Sequence, residues 1–359
     1  MTPNMIKETI AKRLQDFRKM MGLSQAALAK KTMAITKSSI EKIEKAEMMP
    51  APKTLSILAD VLGVMTDDLI RPYVVNVDYS KVRYRKRSKM PKKEVERLQR
   101  LYGNKLEKYI EVERLLGAEV AFTLNYDDVP VCSYRDAQRV AQLFRKDMGW
   151  GKFPVISPIQ QLEMKGVKVF VLDEQESANK DFDGMCYKEG TMAVVILKKC
   201  ENTEHDRFTL FHEMGHLLMN TGDLEGKELE SLCNAFASEV LFPAEAFVKY
   251  FWEGCRIYPN TLKMLQREWG ISCDAQMYKA KDLGIITHNR YMGYWVRKNR
   301  DEKLKAWMSE SVYLAENTNR FESLVYRALS EFKITTTKAA ALLGKSVEEL
   351  NKLKDFANS

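Results

Sequence analysis

Residues 208–219 read Phe-Thr-Leu-Phe-His-Glu-Met-Gly-His-Leu-Leu-Met, and the rest of the chain is read outward from them. His212, Glu213 and His216 carry the spacing H-E-x-x-H. On a helix, positions four apart share a face, so this spacing sets two imidazoles one turn apart with a carboxylate beside them. Only four histidines occur in the 359 residues, His205 and His288 being the other two, so the pairing is informative. A catalytic zinc takes three protein ligands and keeps one position for water. His212 and His216 are read as the first two ligands and Glu213 as the general base. The alternative is an amphipathic core helix, since Phe208, Leu210, Phe211, Leu217 and Leu218 supply an apolar face. Such a helix has no need for both histidines and the glutamate at these offsets.

A third ligand is sought on the next helix, expected over Leu229–Leu241. Glu230, Asn234, Ala237 and Leu241 fall on one side of it, which lets Glu230 reach the metal; Glu228 and Glu239 stay open as alternatives. Upstream, Tyr134–Met148 reads as a helix with Ala137, Val140, Ala141 and Phe144 inward. A short helix around residues 158–165 then leads to a strand over 167–172, and a strand pair follows near 184–187 and 192–197. A small sheet before the His212 helix offers an edge along which a peptide can lie. Cys186 falls on that sheet. Its thiolate is a candidate to occupy the open metal position and hold the site inactive, against the alternative of a small buried residue. Tyr187 is considered for an oxyanion contact only by its proximity.

The composition, 45% hydrophobic and 30% charged, is that of a globular chain with several cores. No apolar stretch approaches the ~18 residues that span a bilayer, and no leader-like segment opens the sequence, so a cytoplasmic location is expected. Six scattered cysteines without a C-x-x-C pair suit reduced thiols. The net charge of +8 is uneven: residues 1–117 hold 25 Lys+Arg against 14 Asp+Glu, and the remainder 32 against 35. Within the basic third, Lys81–Lys93 has eight basic residues and no acid. It reads either as a solvated linker or as an electrostatic contact with phosphates.

Five short helices are expected between Ile6 and Ile70. Ile6, Ile10, Leu14 and Phe17 stripe the first, which Gly22 ends. Ser24 caps the second over Gln25–Lys31, and Thr36 caps the third over Lys37–Lys45, with Ile40 and Ile43 inward. Residues 55–62 and 67–70 complete the set. The run GLSQAALAKK followed by TKSSIEKIEKAEMMPAPKTLSILADVLGV resembles the helix-turn-helix of Cro/C1-type (XRE) repressors. The resemblance implies binding of double-stranded operator DNA, with the helix from Thr36 in the major groove and Gln25, Thr36, Lys37, Ser38, Ser39 and Lys42 as contacts. The turn before Thr36 is about one residue longer than usual and lacks the customary glycine. The alternative use of such a bundle is protein contact or dimerisation.

FTLFHEMGHLL followed by ESLCNAFASEVLFP is similar to the ImmA/IrrE family of zinc-dependent endopeptidases, as are PIQQLEMKGVKVFVL, DGMCY and WGISCDAQMYKAKDLGII. The resemblance implies a zinc (Zn) cofactor held by His212, His216 and Glu230, with Glu213 as base, and cleavage of a repressor or antitoxin-type protein. Leu232 departs from the pattern, where many members carry a second glutamate.

The fold class expected is multidomain and mainly α with a small β-sheet. A five-helix helix-turn-helix bundle is expected over 1–74, a basic linker and long helix over 75–117, and an α+β zincin-like peptidase domain over 118–257. A second helix-turn-helix-like subdomain (258–300) and a helical C-terminal module (301–359) follow. The function expected is that of a DNA-associated, gluzincin-like endopeptidase, possible as a homodimer and with no membrane partner. The rival is a transcriptional regulator whose metal site is structural or sensory.

Overall fold

A computed structural model describes residues 2–75, 77–78, 83–86, 91–172, 182–200, 202–313 and 315–355, with only the backbone at 83–86 and 353–355. The architecture is mainly helical with one small sheet, as expected. It divides into two compact units, one of residues 1–80, 88–119 and 321–359 and the other of residues 81–87 and 120–320.

The N-terminal bundle consists of α1 (Pro3–Met20), α2 (Gln25–Thr32), α3 (Lys37–Glu44), α4 (Pro52–Leu62) and α5 (Thr66–Ile70). Its boundaries follow from local chemistry. The hydroxyls of Thr2, Ser24 and Thr36 accept from the first-turn amides of α1, α2 and α3, and proline opens α1 and α4. Ile10, Leu14, Phe17, Leu28, Ile40 and Ile43 close the core. The turn without a glycine is built by Met33, which adopts a left-handed φ of 52° with its side chain 94% exposed.

The short strand β1 (Arg83–Lys86) lies in the segment read as linker, and α6 (Lys92–Leu116) follows. Helix α6 joins the bundle through a buried ion pair. The Arg13 guanidinium donates two 2.6 Å bonds to the Glu107 carboxylate and others to the carbonyls of Arg71 and Pro72. The amide of Val74 donates to the same carboxylate at 2.8 Å. Removing either charge leaves the other buried, which costs about 3–5 kcal/mol.

The second unit contains α7 (Tyr134–Asp147), α8 (Pro158–Met164), β2 (Val167–Leu172), β3 (Phe182–Glu189), β4 (Met192–Lys198) and α9 (Thr203–Leu218). These are followed by α10 (Gly226–Leu241), α11 (Ala244–Phe247), α12 (Pro259–Trp269), α13 (Cys273–Asp282), α14 (His288–Arg300) and α15 (Glu302–Ser309). Strands β3, β4 and β2 form a three-stranded core, parallel between β2 and β4 and antiparallel between β3 and β4; β1 extends it in the order β1-β3-β4-β2. A left-handed Gly166 (φ 94°) starts β2, where a Cβ would stand 2.6 Å from the Val120 carbonyl oxygen. Helix α9 packs on β3 and β4, α10 packs on α9 and α7, and Val140, Phe144, Phe211 and Phe236 of these three helices are all wholly buried.

The chain ends in α16 (Arg320–Ser330), α17 (Thr336–Leu343) and α18 (Val347–Asp355). In the first unit this tail meets α6: Tyr109 and Phe321 stack at 5.4 Å, and Lys338 pairs with Glu111 at 2.9 Å. No described helix is long and apolar enough to cross a membrane, and no disulfide links the cysteines among the described residues.

An L-residue in the left-handed region is disfavoured by about 1–2 kcal/mol, and Met33 has almost no packing to lose. Met33→Gly is therefore expected to stabilise the N-terminal bundle by about 0.5–1 kcal/mol after glycine's own entropic cost. Denaturant unfolding checks this; a lower midpoint would refute it.

Candidate metal centre

Helix α9 is fixed at its N-terminal half by buried polar contacts. Glu204, wholly buried, accepts from Gln266 of α12 at 2.7 Å, from the Ser311 hydroxyl at 2.7 Å and from the Val312 amide at 3.0 Å. One turn on, the buried Arg207 pairs with Glu316 and donates to the Val155 carbonyl. The helix then runs into the core, where Thr209 to Leu218 are all buried.

This placement brings the motif residues together. The Nε2 atoms of His212 and His216 lie 3.2 Å apart. Helix α10 packs on α9 and supplies Glu230, whose carboxylate oxygens stand 3.2 Å from His212 Nε2 and 3.4 Å from His216 Nε2. The two ring nitrogens thus lie 3.2 Å apart, and each has its own Glu230 oxygen at 3.2–3.4 Å, Oε2 on His212 and Oε1 on His216. Tetrahedral ligands about 2.0–2.1 Å from a zinc ion are separated by about 3.3 Å, so the residues fit the ion. The His212 ring is wholly buried, whereas the Glu230 side chain is 37% exposed, which leaves one side of the group toward solvent.

Burial would raise the Glu230 carboxyl, but its hydrogen bonds to the two imidazoles and their electrostatic effect outweigh it and hold it below the usual carboxylate range. Asn234, one turn beyond Glu230, presents Oδ1 to His212 Nδ1 at 2.9 Å. The imidazole donates there, which fixes the tautomer whose Nε2 keeps its lone pair for a metal.

Glu213 is wholly buried and turned toward β3. A Cβ at Gly184 would lie 3.1 Å from the Glu213 Cγ and Oε1 and from Thr209 Cγ2. The glycine makes the cradle in which the carboxylate sits.

The other residues considered from the sequence fall elsewhere. Glu228 is exposed in the first turn of α10. Glu239 is wholly buried and engaged by Gln142 at 3.1 Å, the Ala244 amide at 3.0 Å and Lys279 at 2.8 Å. Cys186 is buried in the core on β3, opposite Val195. Tyr187 donates its hydroxyl to Glu189 at 2.6 Å. His288 is exposed at the start of α14. In the N-terminal bundle, Thr36, Lys37, Ser38 and Lys42 are exposed on α3 and Ser39 is half-buried, while the Gln25 amide donates to Glu44 at 2.9 Å.

Two participants were not assigned a role from the sequence. The helical spacing puts Asn234 on the same side of α10 as Glu230 and by itself gives it no partner. Cys233 was counted only among the scattered thiols, yet its Sγ and the ring nitrogens of His212 and His216 all lie within 4.8 Å of one another. The signal available for Asn234 was its four-residue offset from Glu230.

Comparisons with known proteins agree with this architecture. Residues 162–281 match the peptidase family M78, described as the IrrE N-terminal-like domain, and residues 14–69 match a helix-turn-helix family. The chain therefore joins an XRE-type helix-turn-helix domain to an ImmA/IrrE-type domain of a metallopeptidase family. No curated protein matches it. Among solved structures, apo ComR from S. thermophilus aligns over 98% of this chain and 100% of its own at 13% identity. Apo ComR from Streptococcus vestibularis, titled a competence regulator, aligns over 99% of each chain at 12% identity. The TM-score is 0.18 for both, so these likenesses carry no argument.

Asn234→Ala is expected to weaken metal binding about 10- to 100-fold, since it frees the His212 tautomer. Competition against a chromophoric chelator measures this, and an unchanged affinity would rule out the orienting role.

Proposed function

We propose that this chain is a DNA-associated zinc endopeptidase that cleaves a repressor or antitoxin-type regulatory protein. His212, His216 and Glu230 hold the metal, and the observation that carries the reading is the convergence of these donors beside Glu213. A bound zinc ion supplies Lewis acidity toward a peptide carbonyl and lowers the pKa of water. Glu213 takes a proton from the attacking water and returns it to the leaving amine. The Gly184 cradle keeps that carboxylate close against β3 while its backbone is held by α9.

The DNA half of the proposal rests on the helix-turn-helix match and on the exposed polar face of α3. Thr36, Lys37, Ser38, Ser39 and Lys42 are assigned to the operator; Gln25, tied to Glu44, acts by bracing that helix and by its edge toward the backbone. Binding at an operator concentrates the peptidase where a DNA-bound regulatory substrate resides.

A second reading, a regulator whose metal site is structural or sensory, is favoured by Cys233. A thiolate from that residue makes a three-donor set with the two histidines in place of Glu230. Zinc stoichiometry separates the two. Glu230→Ala losing zinc while Cys233→Ala retains it supports the peptidase site, and the reverse supports the regulator.

Glu213→Gln is expected to retain zinc and lower cleavage of co-encoded XRE-type proteins by at least about 100-fold. Gel analysis of the incubated proteins reads this. Wild-type-like cleavage by the variant would remove Glu213 from its role. Replacing Lys37 and Lys42 by alanine is expected to weaken operator binding and to reduce the slope of log affinity against log salt by about 1–2. An unchanged slope would take both lysines off the DNA backbone.

A further inference from the structure

Strand β1 occupies the edge of the sheet beside the candidate catalytic carboxylate. It runs antiparallel to β3, with Arg83 opposite Cys186, Tyr84 opposite Met185 and Lys86 opposite Phe182. These pairs bracket Gly184, the residue against which Glu213 packs. The β1 backbone is therefore one strand spacing, about 4.8 Å, from the backbone of the Glu213 cradle. Without β1, the edge of β3 presents unpaired N–H and C=O groups along the stretch that a peptide adding to this sheet would use.

The ladder that covers this edge is weak. It is only four residues long, and its register slips between Tyr84 and Lys86, opposite the neighbourhood of Gly184. The chain on both sides of the strand, residues up to 80 and from 88, belongs to the helix-turn-helix unit, while residues 81–87 belong to the peptidase unit.

We propose that Arg83–Lys86 is an internal occupant of the peptide-binding edge, a removable strand that a substrate segment must displace. The inference rests on the peptidase reading for its consequence, control of access to Glu213, and on the β1–β3 register for its geometry. The partner it defines is an extended peptide that adds antiparallel to β3. The Arg-Tyr-Arg-Lys sequence of the occupant makes a basic, aromatic-containing segment the first substrate class to try. An intramolecular strand competes at an effective concentration in the millimolar range, so a free peptide binds far more weakly while β1 is seated.

The test uses the full chain with Glu213→Gln, which prevents turnover, and a fluorescein-labelled peptide of sequence KVRYRKRS. Proline cannot donate to a ladder, so Tyr84→Pro with Arg85→Pro unseats β1. Fluorescence anisotropy should show at least about tenfold tighter peptide binding by the proline variant than by its parent. Equal affinities, or no binding by either, would overturn the proposal. A second measurement does not depend on the variant folding. In the parent protein, saturating peptide should speed amide exchange at residues 83–86 and leave residues 182–189 protected; unchanged exchange at 83–86 would also overturn it. Neither readout needs metal or cleavage. A chain that fails to cleave can still pass, and one that cleaves but passes neither retains the peptidase reading without the internal strand.

Discussion

The packing of α10 on α9 is the constraint on which the candidate centre depends. Two imidazoles on one helix face a single direction, but a metal needs a third donor from outside that helix. Glu230 meets the two imidazoles only because α10 lies close enough to bring one carboxylate oxygen within 3.2 Å of His212 Nε2 and the other within 3.4 Å of His216 Nε2. The approach is permitted by small residues between the helices. A Cβ on Gly215 would sit 3.3 Å from the Phe236 ring and 3.4 Å from the Cys233 Cα, tighter than most carbon contacts in proteins.

The polar groups around this crossing are satisfied by segments far away in sequence. Glu204 draws in Gln266, Ser311 and Val312, and Arg207 draws in Glu316 and the Val155 carbonyl. On the other helix, Glu239 is engaged by Lys279 and Gln142. Buried charges of this kind are expensive unless paired, so each network specifies which loop or helix must lie against α9 or α10. Their effect is to fix where α9 and α10 cross, and with it where His212, His216 and Glu230 meet. Residues Ser311, Val312 and Glu316 and helices α12 and α13 therefore support α9 and α10 from outside the motif.

The sheet has a complementary part. Its β3 strand offers glycine at the single place where the Glu213 carboxylate packs, and alternation along the strand puts Cys186 on the same face, within the core. The opposite edge of β3 is a position a four-residue strand from the basic segment fills. Periodicity could not have found β1: Arg83–Lys86 carries no apolar alternation, and its pairing is provided by backbone groups, which every sequence possesses.

What the sequence by itself determined is what depends on local spacing. The helix caps at Thr2, Ser24 and Thr36, the apolar stripe of the N-terminal bundle and the four-residue offset of His212 and His216 are properties of contiguous residues, and the helices form where these place them. The tertiary structure alone decided which of the glutamates on α10 meets the histidines. All three candidates were compatible with the helical pattern, and Glu239 is taken by Lys279 while Glu228 faces solvent. It also decided that Asn234 meets His212, that Cys233 lies near both rings and that β1 pairs with β3. Those contacts join residues 17 to 103 positions apart, and their partners are chosen by the packing of whole elements, which no local pattern encodes.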